Sequence, residues 1–147
     1  FYHLLEVAMV DTDEKNHGTN WHLPSPELIY SPQVEKEGAG LIRTAAGATD
    51  DPAILARIGQ ERRMWNQARQ TMVALRKSRG DPAFVVVLGE TRRHWLEFRI
   101  DEQTIRDLHD LKPDAPLFAV EPHAGMRPVQ PGEVFDLRMN VRFTTGL

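Results

Sequence analysis

The sequence predicts an α+β fold of the ferredoxin-like, split βαβ kind: an antiparallel sheet with one long and one short helix, and a long loop insertion after the first strand. Three observations predict it. Residues 52–79 carry the periodicity of one long helix. FVVVL at 84–88 and the alternating segment 135–143 read as strands. The order strand, long helix, two strands, short helix and one or two more strands matches that architecture. At 147 residues the chain is expected to form one domain, 1–147, and a chain of that size buries roughly 68–70% of its unfolded surface.

Phe1 to Val10 is apolar and free of Gly and Pro, which predicts a strand buried on both faces. From residue 11 to 51 prolines at 24, 26 and 32 and glycines at 18, 38, 40 and 47 break the pattern, so this segment is read as a loop-rich insertion. The stretch from Gly38 to Gly47 reads as a flexible linker within it. A dinucleotide-binding loop would need a glycine where Arg43 stands.

The long helix has defined ends. Asp50 or Asp51 caps it, Pro52 suits its first turn, Arg76, Lys77 and Arg79 sit near its C-terminal dipole, and Gly80 stops it. Ile58, Trp65 and Met72 recur every seven residues, with Ala68 and Leu75 between them, and form the seam that packs on a core. Arg62, Arg69 and Arg76 follow the same spacing one position round, at the edge of that seam.

Beyond Asp81-Pro82, Phe84 to Leu88 is a buried strand, and the turn at Gly89 to Arg92 leads into RHWLEFRI as the second arm of a hairpin. There Leu96, Phe98 and Ile100 alternate with Trp95, Glu97 and Arg99. Asp101 caps a short helix from Glu102 to Leu111, and Leu117 to Val120 is a short strand. In the last strand Phe135, Leu137, Met139, Val141 and Phe143 face the core, and Asp136, Arg138, Asn140 and Arg142 face water.

Composition narrows the function. Hydrophobic residues are 41% and charged residues 27% of the chain, as in an ordinary globular protein. Cysteine is absent. That removes disulfides, thiolate nucleophiles and Cys-bearing zinc sites, and suits a reducing, cytoplasmic setting. No apolar run approaches the roughly 20 residues that span a bilayer, and the opening decapeptide contains His3 and Glu6, unlike a signal peptide. The first residue is Phe, so we expect a chain processed, trimmed or cut from something longer.

Charge is segregated. Between Pro52 and Arg79 stand seven positive residues and one negative, inside a chain of net charge −3. Such a stripe points to an anionic partner or to an acidic face of the same molecule. Arg62, Arg69, Arg76 and Lys77, with Arg57, Arg63 and Arg79, are therefore candidate anion-binding residues, nucleic acid being one candidate partner. The alternative is that the helix neutralises carboxylates of the insertion or of a neighbouring subunit. Trp95 and Arg99, with Arg138 and Arg142, are placed on an open sheet face suited to stacking single-stranded bases.

Asp11-Thr12-Asp13 after the first strand, followed by His17 and His22, has the donor types for a divalent metal. The spacing of Asp11 and Asp13 resembles that of the nucleophile and acid in haloacid dehalogenase-like phosphatases, without the alternating strands and helices of those enzymes in the rest of the chain. The sequence thus favours a non-enzymatic binding or assembly subunit without a cofactor, working with a protein partner or as a homo-oligomer and away from membranes. A small metal-dependent phosphohydrolase or nuclease using Asp11 and Asp13 is the alternative, and a purely structural oligomer subunit the third reading.

Overall fold

The computed structural model describes residues 30–146. The strand expected at residues 1–10 lies outside them. Among the described residues three helices and seven short strands alternate in an α+β chain. No helix among them is long and apolar enough to cross a membrane. The chain divides into two compact units, Phe1–Met72 and Val73–Leu147.

The first unit corrects the reading of the insertion. Residues expected to be loop and flexible linker form helix α1, Pro32–Gly47. Ser31 caps it by accepting from the Val34 N–H at 3.1 Å, and Pro32 occupies the first turn. Its glycines read as breakers, but at Gly38 the requirement is close packing. A Cβ there would lie 2.6 Å from Cζ2 of Trp65, so only glycine lets that backbone lie against the indole. Tyr30 closes the same contact, with its ring centroid 6.3 Å from that of Trp65.

Helix α2 spans Pro52–Ser78, as its periodicity predicts. Asp51 caps it, its Oδ1 accepting from the Ala53 N–H at 2.9 Å. At the other end Gly80 takes φ +77, and the N–H groups of Gly80 and Asp81 donate to the carbonyls of Lys77 and Arg76. This double closure needs a left-handed residue, which is glycine's role here. Ile58, Trp65 and Met72 are buried as expected; Glu61 and Arg69 are buried with them.

The second unit holds a five-stranded sheet of order β2-β1-β7-β4-β5 and a two-stranded sheet of β3 and β6. The strands are β1 Phe84–Leu88, β2 Thr91–Trp95, β3 Arg99–Asp101, β4 Phe118–Glu121, β5 Gly125–Pro128, β6 Val134–Asp136 and β7 Arg142–Thr144. β1 runs parallel to β7, while the other pairs are antiparallel. The sheet is therefore mixed, and its order is not that of the expected ferredoxin-like arrangement. Helix α3, Glu102–Leu108, is capped by Asp101 as expected, but stops short of Leu111.

One core joins Val86, Trp95, Ala119 and Phe143 of the larger sheet to Ile100 and Phe135 of the smaller and to Ile105 and Leu108 of α3. Arg106 is buried beside it, bonded to Glu102 and to the carbonyls of Ala115 and Lys112.

The single strand expected from 135 to 143 is two strands in two different sheets. Asp136 accepts from the Arg138 N–H and starts a 3-10 turn, Leu137–Met139, and Asn140 adopts φ +58. Local Asx bonding competes with the ladder, and Met139 ends up exposed while Val141 and Phe143 stay buried.

Candidate functional site

The pairing register fixes which side chains leave the five-stranded sheet on the side away from the core. Val86, Ala119 and Phe143 are buried, so alternation sends their neighbours outward. The outward positions are Arg92 and His94 on β2, Val85 and Val87 on β1, Arg142 and Thr144 on β7, Phe118 and Val120 on β4, and Met126 and Pro128 on β5. Not one of these is Asp or Glu.

Along the middle of this face Arg92 pairs with Val87, Arg142 with Val120, and Val120 with Met126. The parallel pair Leu88–Phe143 sets Val87 beside Arg142. The row therefore reads cation, apolar, cation, apolar, apolar, with Arg92 and Arg142 two strands or roughly 10 Å apart. Val85, Val120 and Met126 are 37%, 36% and 48% exposed. An apolar face carrying cations and no acid lowers the desolvation cost of meeting an anionic, partly apolar partner and repels a cationic one.

A second concavity, of about 630 Å³, is lined by the β4–β5 turn and by residues 133–141. Its two guanidiniums are already engaged. Arg127 donates to Glu121 at 2.8 Å and to both oxygens of Glu133. The Arg127 guanidinium, and then the N–H of Gln130, hold the Glu133 carboxyl below its usual range, and Arg127 is raised in turn. Arg138 grips both oxygens of Asp136, which lowers that carboxyl to about 2. The Arg138 guanidinium also lies 3.8 Å from the centroid of Phe98. Charge in this cleft is matched within the protein.

The expected site residues fall in different surroundings. Arg62 and Lys77 are exposed on α2. Arg69 is 3% exposed and bound to Glu35 of α1, with a further bond to Asn66. Arg76 is half-buried and donates to the Leu96 carbonyl at 3.0 Å. Arg62, Arg69 and Arg76 thus do not form one exposed row. A buried stripe on a helix follows i, i+3, i+4, so 61 and 69 fall on the seam with 58, 65 and 72.

Trp95 does not lie on the open face where it was expected. It is 0% exposed, and its Nε1 donates to the Arg99 carbonyl at 3.1 Å. β2 begins at Thr91, and the pairing of Phe84 with Trp95 sets the phase; the bend at 96–98 then allows Leu96 to be buried as well. A one-residue change of phase exchanges the faces. Arg99 lies on β3 opposite Asp136, 5.4 Å from the Phe98 ring. Arg138 is beside the same ring, whereas Arg142 does lie on the outer face of the larger sheet.

Asp11, Asp13, His17 and His22 lie outside the described residues. Among the described residues no group of three or more His, Asp or Glu side chains is placed to hold a metal. The sequence reading missed Arg92, His94, Val120 and Met126. The run FVVVL has no polar alternation to mark its outer side, and GMRP of β5 is too short to show any; the signal that remains is Gly89, which at φ +58 turns β1 into β2. Comparison with protein-family models, curated proteins and solved structures finds no match.

Proposed function

We propose that this chain is a binding or assembly subunit that meets an anionic partner on the outer face of its five-stranded sheet. One observation supports the reading: the register gathers Arg92, His94 and Arg142 among Val85, Val87, Val120 and Met126, with no carboxylate at any outward position of the five strands. Two of the expected elements, the positive partner-seeking charge and the open sheet face, are kept in it, with Arg142 as expected and Arg92 and His94 in place of Trp95, Arg99 and Arg138. The stripe on α2 is secondary, because Arg69 spends its charge on Glu35 and Arg76 is tied to a carbonyl.

Retention on immobilised heparin and on polyglutamate tests this. The salt needed for elution is expected to fall for Arg92→Glu and Arg142→Glu and to stay unchanged for Lys77→Glu, since phosphate and carboxylate contacts weaken steeply with salt. Equal elution of all three variants and the parent chain would overturn the reading.

A further inference from the structure

Resting on that reading, we propose that the partner is an amphipathic protein helix of about three turns, whose apolar stripe lies along β1 and is bordered on both sides by carboxylates. Its seat is the strip of Val85 and Val87, with Arg92 and His94 along one side and Arg142 along the other. Those flanks stand two strands, roughly 10 Å, apart, the diameter of a helix with its side chains. β1 is five residues long, or about 17 Å, which three helical turns match.

The chemistry of the face favours protein over nucleic acid. Stacking bases calls for aromatic platforms, and among the outward positions only Phe118 and His94 carry aromatic rings, both half-buried. The other apolar positions are Val85, Val87, Val120, Met126 and Pro128, none of them aromatic. Branched aliphatic side chains on a pleated sheet are the ordinary seat of a helix in two-layer packing. Carboxylates on the helix flanks complement Arg92 and Arg142, and lysines there would meet like charge.

The test is a titration of the full chain, methyl-labelled at Val and Met, with four probes: a Leu/Glu amphipathic helical peptide, its Leu/Lys counterpart, polyglutamate and oligouridylate. The Leu/Glu peptide is expected to bind with its largest shifts at Val85 and Val87 and little change at Met126. Arg92→Glu and Arg142→Glu each weaken it roughly tenfold, and Val85→Gln weakens it without changing the weaker polyglutamate affinity. Circular dichroism of each variant matching the parent keeps loss of binding separate from loss of fold. If polyglutamate or oligouridylate binds this face as tightly as the Leu/Glu peptide, or the Leu/Lys peptide binds equally, the helix assignment is wrong. When the polyanions still depend on Arg92 and Arg142, the anionic-partner reading survives that failure. If no probe responds to either charge reversal, both fall together.

Discussion

Arg69 of α2 donates through Nη1 to Oε2 of Glu35 on α1, and both side chains are sealed from solvent. The Tyr30 hydroxyl donates a hydrogen bond to the other carboxylate oxygen at 2.5 Å, and Asn66 accepts from Nη2 of Arg69. Among the described residues, Nε of Arg69 and Nε1 of the adjoining Trp65 are buried without a hydrogen-bond partner.

Arg69→Met on its own leaves the Glu35 carboxylate in a dry site and is expected to cost about 3–5 kcal/mol, read by urea denaturation. Adding Glu35→Leu should restore most of that loss, because two apolar side chains replace a pair that had to be desolvated. A single variant as stable as the parent would show the pair to be immaterial.

Gly38→Ala is expected to destabilise by about 1–3 kcal/mol, although alanine is the better helix former by about 1 kcal/mol. The added methyl would stand 2.6–2.8 Å from the Trp65 ring, and an indole cannot fold away as a lysine can. Trp65→Leu in the same chain should relieve the clash, so the paired change would cost less than the sum of the two measured separately. Additive losses would argue that the two helices part without penalty.

Acid should weaken the second unit through Asp136 and Glu133. Both carboxyls are lowered in the folded chain, Asp136 from 3.8 to about 2 by its Arg138 partner and Glu133 from 4.5 by Arg127. A depressed carboxyl contributes stability that is complete above its unfolded value and is lost as the pH falls through the folded one. For Asp136 the window is therefore pH 3.8 down to about 2. Asp136→Asn is expected to flatten the stability profile in that window, measured by denaturant midpoints at stepped pH; an unaltered slope would count against the assignment.

Helix α2 was legible from its residues because each of its signals is local: a capping Asp, Pro in the first turn, a seven-residue apolar recurrence and Gly80 at the stop. The same holds for the Asp101 cap of α3 and for the hairpin turn at Gly89. Polarity concealed Arg69, since a charged residue on a buried stripe is recognised only when its counter-charge is known, and Glu35 lies on another helix. Helix α1 was hidden by its glycines, one of which answers to Trp65 and not to local backbone preference.

The candidate face shows the same division most plainly. Alternation along one strand tells which residues share a side, and that much was written in the order of amino acids. Which side meets the core, which strands become neighbours and therefore which cations stand together depend on pairings between distant segments. Asp136 and Asn140 end one ladder and let the chain enter another, separating Arg138 from Arg142. Period-two alternation carries no information about strand order, so the gathering of Arg92, Arg142 and Val120 on one surface was decided by long-range hydrogen bonding and core packing alone.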